Sequence, residues 1–171
     1  TTRQHQADLL KIQVEMLRRR KYRPAGGFAL DRLLDGAPAI SGSLLDHRRI
    51  PKPAYEAVAA ACAETIVVAD PPPLSITPRS TLQCQVLVVH DGRAPIDHIR
   101  VDAVLTVSGR EQTWSWGGSI EGDSVTLIGT IQHQLGDAIG EVLLDLRVTR
   151  TAPPADGRTT TNHYRGRIGA G

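Results

Sequence analysis

Four runs of alternating apolar residues in the second half of the chain constrain its fold most strongly. Apolar residues, with Gly129 among them, occupy every second position in the runs 82–88, 99–107, 125–131 and 142–148. A two-residue period is typical of strands that bury one face. Turn-forming residues separate the runs: Asp91-Gly92, Ser108-Gly109, Gly117-Gly118, Glu121-Gly122 and Ala155-Asp156-Gly157. Six or seven short strands in about 100 residues predict an immunoglobulin-like β-sandwich, which we place at residues 74–171.

The first seventy residues follow a different pattern. Leu9, Ile12 and Met16 recur at helical spacing and predict a helix from about residue 6 to residue 21. Residues 28–34 resemble a short strand, and a second helix is expected to begin near Pro53. The segment Asp70–Pro73 has the composition of a stiff extended linker. These features predict a helix–strand–helix unit at residues 1–70.

Composition argues against several classes of function. A net charge of +2 gives no electrostatic reason to expect nucleic acid or an acidic membrane as partner. No apolar run approaches the roughly 18–20 residues that cross a bilayer. The six histidines show no zinc-ligand spacing, so we expect no metal and no cofactor. Cys62 and Cys84 fall in different predicted units, and we expect buried free thiols there.

Three consecutive segments match a known pattern. They are Tyr22-Arg23-Pro24-Ala25-Gly26-Gly27-Phe28, then the stretch from Asp35 to His47, and then Arg49-Ile50-Pro51-Lys52-Pro53-Ala54-Tyr55. Their order resembles the end of the (β/α)₈ barrel in family 2 glycoside hydrolases of the β-mannosidase and exo-β-glucosaminidase branch, whose members also carry an immunoglobulin-like domain. The resemblance implies an α+β fragment: the C-terminal helix–strand–helix remnant of a TIM barrel, followed by an all-β immunoglobulin-like sandwich.

The resemblance also implies a function. The chain would be the C-terminal fragment of a retaining glycoside hydrolase that acts on β-linked sugars. Such enzymes use two carboxylates, and the resemblance places both on earlier strands, so we expect the isolated chain not to hydrolyse a nitrophenyl mannoside. Its partners would be the missing N-terminal part of the same protein and, in the parent enzyme, a carbohydrate substrate. Gly42 stands where the family usually has Trp. The alternative that the parent protein is a degenerate, non-catalytic relative of these enzymes therefore stays open.

Four residues are candidates for substrate binding. Asp35 and Asp46 lie near the end of the strand that the resemblance implies, where a carboxylate could bind a sugar hydroxyl. Asp also commonly bonds its own backbone in turns, and this alternative stays open. Trp114 and Trp116 are two residues apart on a predicted strand and therefore share one face. Exposed, they would form a platform for a sugar, and buried, they would belong to the sandwich core.

The alternative hypothesis is a non-catalytic β-sandwich module that binds carbohydrate or another protein. In that case the N-terminal helices form an accessory layer, and the apolar side of the first helix is exposed. Large exposed apolar patches tend to find partners, so we expect self-association or tight packing against a neighbouring chain. The basic cluster at residues 18–23 is interpreted as a solvated helix end and not as a phosphate-binding site.

Overall fold

A computed structural model describes residues 2–73, 75–137, 139–151 and 159–169. The chain forms two compact units, Thr1–Ala63 and Glu64–Gly171. We call the first the helical unit and the second the sandwich unit, and each is described by itself.

The helical unit contains the two helices α1 (Thr2–Arg18) and α2 (Pro53–Ala61). Pro53 occupies the first turn of α2, where its missing N–H leaves no hydrogen bond unmade. The core between the helices is small, because alanines such as Ala7 and Ala54 permit a close approach. Val58 and Leu44 complete this core.

The predicted strand at residues 28–34 is wrong, and with it the barrel remnant. Only an isolated bridge between Leu34 and Leu45 forms there. No described strand lies beside the segment to accept its hydrogen bonds, and Asp31 and Arg32 are exposed, whereas a buried parallel strand is almost continuously apolar. The described chain is mostly β, with two short helices, and shows no part of a (β/α)₈ barrel. The expected fold class, an α+β fragment with a barrel remnant, is therefore incorrect.

The sandwich unit consists of two sheets, and the prediction of a β-sandwich is confirmed. One sheet has the order β1-β3-β6 and the other the order β2-β8-β7-β4-β5. Neighbouring strands are antiparallel except for the short parallel pair β2 and β8. The strands are β1 (Thr65–Ala69), β2 (Ser75–Ile76), β3 (Thr81–His90), β4 (Ile96–Val107), β5 (Arg110–Ile120), β6 (Ser124–Gln134), β7 (Gly140–Arg150) and β8 (Thr159–Ile168).

The predicted alternation produces the sandwich core. Every second residue of β3, from Leu82 to Val88, is buried and belongs to one apolar cluster with the alternating residues of β4 and β7. Ser108 and Gly109 both have positive φ and join β4 to β5 in a two-residue hairpin loop, as their sequence predicts. The predicted turn at Gly117-Gly118 is wrong, because both residues continue the pairing of β5 with β4. The predicted turn at residues 155–157 lies outside the described residues.

Two polar side chains of β8 connect the sheets. Asn162 donates from Nδ2 to the carbonyl of Val67 at 2.8 Å and to the Tyr164 hydroxyl at 3.0 Å. The same hydroxyl accepts a hydrogen bond from the backbone N–H of Ala69 at 3.2 Å. Because β1 and β8 belong to different sheets, these bonds close one side of the sandwich and satisfy polar groups that the core would otherwise leave unmatched.

Replacement of Tyr164 with phenylalanine should destabilise the sandwich. The change leaves the buried N–H of Ala69 without this acceptor, and such a loss costs about 1–3 kcal/mol. Urea unfolding measures the effect, with Tyr55→Phe at a half-exposed ring as the control. Equal midpoints for the two variants would show that the Tyr164 hydroxyl contributes nothing.

Candidate functional site

The candidate site with the most polar chemistry is a buried cluster in the helical unit. We call it the Asp35–Lys52 cluster, and it consists of Asp35, Ser41, Ser43 and Lys52. Lys52 Nζ lies 2.7 Å from Asp35 Oδ2, and both side chains are almost fully buried. Lys52 Nζ also donates to Ser43 Oγ at 2.8 Å, and Ser43 Oγ donates to Asp35 Oδ1 at 2.7 Å. Ser41 Oγ donates a short hydrogen bond to the same carboxylate.

Backbone hydrogen bonds place these side chains together. Asp35 donates its N–H to the carbonyl of Leu45 at 3.1 Å, and Lys52 donates its N–H to the carbonyl of Leu44 at 2.9 Å. Three irregular stretches of chain, around residues 34, 44 and 51, therefore run side by side. Lys52 immediately precedes α2, so the start of that helix fixes its backbone position.

The electrostatics of the cluster favour a fixed ion pair. Hydrogen bonds from Lys52, Ser41 and Ser43 hold the pKa of the Asp35 carboxyl well below its usual range, against the opposing effect of burial. Ser43 is 0% exposed, and its hydroxyl donates to the Asp35 carboxylate. The cluster therefore joins three irregular stretches of the chain through buried polar contacts.

Asp46 lies in a separate turn. Its Oδ1 accepts hydrogen bonds from the backbone N–H of Ile50 at 2.9 Å and of Arg48 at 2.8 Å. The bond from Ile50 is the main reason that the pKa of Asp46 is lowered, and the bond from Arg48 acts in the same direction. This geometry matches the turn chemistry that the sequence left open for Asp46.

Trp114 and Trp116 both lie on β5 and share one face, as predicted. Both are half-buried, and they pack against the sandwich core. The indole of Trp116 lies directly over Gly129 of β6, so close that a Cβ at residue 129 would come within 3.0 Å of three indole atoms. Since β5 and β6 are edge strands of different sheets, Trp116 fills the gap between the sheets on this side.

Exposed apolar side chains are concentrated in the helical unit. Among the described residues, thirteen large apolar side chains are exposed, and eleven of them belong to this unit. We call these eleven the exposed apolar set: Leu9, Met16, Leu17, Tyr22, Phe28, Leu30, Leu33, Leu34, Ile40, Ile50 and Tyr55. The most exposed is Ile40, at 94%. Leu9 and Met16, which share a predicted apolar side of α1 with the half-buried Ile12, are both exposed.

Charge is distributed unequally between the units. The sequence of the helical unit has eleven Lys and Arg against six Asp and Glu, a net charge of +5. The sequence of the sandwich unit has nine against twelve, a net charge of −3. The overall value of +2 therefore conceals a basic helical unit that also displays most of the exposed apolar side chains.

Sequence reasoning missed Lys52 and the two serines of the cluster. The sequence places Lys52 between two prolines, and a lysine in a proline-rich turn normally indicates an exposed position. The signal that could have revealed the cluster is the presence of two hydroxyls and one carboxylate in the Gly-rich, otherwise apolar stretch from residue 34 to residue 45.

The two cysteines differ in environment. Cys84 is buried, as expected, whereas the expectation of burial is wrong for Cys62, which follows the last turn of α2 and is exposed. Burial, together with the nearby charge of Asp70, raises the pKa of the Cys84 thiol to about 11. Only thiolates react rapidly with alkylating reagents.

We therefore expect iodoacetamide to modify one thiol in the native protein and two after denaturation. Intact-mass measurement counts the labels, and Cys62→Ser should abolish the native one. Rapid native labelling of Cys84 would contradict its burial.

No group of three His, Cys, Asp or Glu side chains in the described part of the chain is placed to hold a metal ion. No helix within the described ranges is long and apolar enough to span a membrane.

Comparisons with known proteins give no family. No family model and no curated protein matches the chain. Among solved structures it is similar to the CARDB domain of a Pyrococcus furiosus protein, with 13% identity, a TM-score of 0.47 and coverage of 61% of this chain and 87% of that one. It is also similar to the superoxide reductase neelaredoxin from Ignicoccus hospitalis, with 12% identity, a TM-score of 0.44 and coverage of 68% and 91%.

The resemblance to family 2 glycoside hydrolases is not supported by these comparisons. A β-glucosidase from Listeria innocua does match, but with 8% identity, a TM-score of 0.43 and coverage of 63% of this chain and only 16% of that enzyme. The described fold contains no barrel remnant. The recognition of a β-mannosidase-like enzyme from residues 22–55 is therefore wrong.

Proposed function

We propose that this chain is a non-catalytic module that binds another protein through its helical unit. The observation that carries the proposal is the exposed apolar set. Soluble monomers expose single apolar residues commonly but rarely concentrate them, and such concentrations mark sites of protein interaction. The sandwich unit, with its large continuous core, serves as the stable scaffold of the module.

The positions of the aromatic side chains favour a protein partner over a carbohydrate ligand. Trp114 and Trp116 are half-buried against the core, and Tyr164 is buried between the sheets. Sugar-binding modules present aromatic faces to solvent, and no aromatic side chain of the described sandwich is fully exposed. The exposed aromatic residues, Tyr22, Phe28 and Tyr55, belong to the exposed apolar set of the helical unit.

The contacts of the two candidate carboxylates, Asp35 and Asp46, favour a non-catalytic role. Asp35 is ion-paired and hydrogen-bonded within the Asp35–Lys52 cluster, and Asp46 is held by backbone N–H groups of its own turn. Neither carboxylate is arranged as a free acid or base. We propose that both residues shape the irregular segment that displays Leu33, Leu34 and Ile40.

The net charge of the helical unit indicates what kind of partner surface would complement it. The helical unit has a net charge of +5, and its basic side chains lie among the exposed apolar residues in the sequence. A complementary partner surface would have an apolar centre and an acidic rim, since opposite potentials speed association and select the partner. Pairing of two helical units would place like charges together, so we expect the partner to be a different, acidic protein.

Paired variants test this proposal. Leu33→Ser/Ile40→Ser removes two members of the exposed apolar set, whereas Leu127→Ser/Ile139→Ser removes two similarly exposed side chains of the sandwich unit. A purified acidic partner should bind the wild type and the sandwich variant alike, and should bind the helical-unit variant at least about tenfold more weakly, as expected for the loss of two contact side chains. Equal affinities for all three proteins would refute the assignment of the contact surface.

A sugar titration tests the alternative partner class. Mannobiose added to high millimolar concentration should leave the fluorescence of Trp114 and Trp116 unchanged. A saturable change that is lost in a Trp114→Leu variant would favour carbohydrate binding by the sandwich and would count against a protein partner.

A further inference from the structure

The edge strand β6 has an unusual composition. It is eleven residues long and terminates the three-stranded sheet. Its sequence, Ser-Val-Thr-Leu-Ile-Gly-Thr-Ile-Gln-His-Gln, contains no Asp, Glu, Lys, Arg or Pro. Exposed edges are normally protected by charge, proline or shortness, because their unpaired backbone groups can accept a strand from another molecule.

The other edge strands are better protected. At the opposite edges, β1 has five residues and β2 has two. β5 begins with Arg110 and Glu111, although its remaining residues are also uncharged. The length and composition of β6 therefore single it out among the four edges.

The geometry of β6 leaves a straight segment available for pairing. A bulge at Ile128 interrupts its register with β3, because Val86 pairs with Gly129 while Leu87 pairs with Leu127. From Gly129 to Gln134 the pairing with β3 is regular over six consecutive residues. In an antiparallel pair, alternate residues point their N–H and C=O groups away from the partner strand. Among the described residues, no strand pairs with this outer edge of β6.

We propose that β6 pairs edge to edge with β6 of a second copy of this chain, joining two three-stranded sheets into one sheet of six strands. The argument for a second copy is complementarity. An uncharged edge selects neither an acidic nor a basic partner strand, and the chain itself supplies an uncharged strand of matching length. Two-fold antiparallel pairing of β6 places no charged side chains of the two strands opposite each other, and each strand satisfies the backbone groups of the other.

This pairing is independent of the partner proposed for the helical unit. It uses no residue of the exposed apolar set. Its exposed side chains are Leu127, Thr130, Gln132 and Gln134, which lie on the outer face of the sheet.

Sedimentation equilibrium of the full chain tests the proposal. The wild type should dimerise, and Thr130→Lys/Gln132→Lys should weaken the dimer at least about tenfold, because like charges opposite each other in a sheet are destabilising. The control is Gln85→Lys/Gln83→Lys on β3, since these residues pair directly with Thr130 and Gln132 and share their face. The control adds the same charge one strand further from the edge and should remain dimeric.

Hydrogen exchange supplies a second readout. Protection of the amides from Gly129 to Gln134 should increase with protein concentration in the wild type, even if a lysine variant fails to fold. A wild type that is monomeric, or a dimer that both lysine variants weaken equally, would overturn the proposal. A dimer that is lost instead in Leu33→Ser/Ile40→Ser would also overturn it, because association would then occur through the helical unit.

Discussion

Replacement of Lys52 with methionine should lower the melting temperature of the helical unit well below that of the sandwich unit. The change leaves the Asp35 carboxylate buried without its cation, and loss of one member of a buried ion pair costs about 3–5 kcal/mol. The small core around Ala7, Ala54 and Val58 offers little to offset that loss. Circular dichroism at 222 nm follows the transition specifically, because both helices of the described chain belong to the helical unit.

Two further variants show whether the ion pair is responsible. Lys52→Met/Asp35→Asn removes both charges while Ser43 can still donate to the amide oxygen, so it should be more stable than Lys52→Met alone. Arg79→Met breaks the exposed pair with Asp137 and should change stability by less than about 1 kcal/mol. A double variant as unstable as Lys52→Met would show that the lysine stem, and not its charge, holds the segment.

The same cluster gives the helical unit a sensitivity to acid. The pKa of Asp35 is lower in the folded state than its usual value of 3.8, so its contribution to stability is complete above that value. It is lost as the pH falls further, because protonation abolishes the interaction with Lys52. The helical signal of the wild type should therefore decrease below about pH 4, and that of Lys52→Met/Asp35→Asn should depend less on pH in this range.

The sandwich could be predicted from the sequence because the pattern that specifies each strand lies within that strand. Strands β3, β4 and β7 carry a two-residue alternation, and one buried face decides the register, since a slip by one residue in β3 would expose Leu82 and Val86 and bury their polar neighbours. The strand β1 was missed for a related reason. All of its residues from Ile66 to Ala69 are apolar and buried, so it shows no alternation.

The helical unit was less predictable because its structure depends on distant contacts. The sequence predicts a strand at residues 28–34, yet a strand requires a neighbour, and none of the described strands lies there. Similarly, nothing local indicates that Asp35 pairs with Lys52 seventeen positions later. The family resemblance was carried by turn residues of this segment, and turn residues specify local geometry without specifying the domain around them.

Gly129→Ala should destabilise the sandwich by about 1–3 kcal/mol, as overpacking of a closed site does. The new Cβ would lie within 3.0 Å of three atoms of the Trp116 indole, and a fused ring cannot move aside as a flexible side-chain end can. Gly118→Ala on β5 is the matched control, because nothing lies within 4 Å of a Cβ there. Urea unfolding gives the two free energies, and a shifted tryptophan emission should accompany the Gly129 variant alone.

A double-mutant cycle with Trp116→Leu assigns the effect to this contact. If the indole is what the new methyl group meets, Gly129→Ala should cost much less in the Trp116→Leu background, with a coupling energy of about 1 kcal/mol or more. The two changes should be additive if the cost arises instead from the backbone of β6. Additivity would also show that Trp116 does not fill the gap between the sheets, and would make its indole available again as a binding surface.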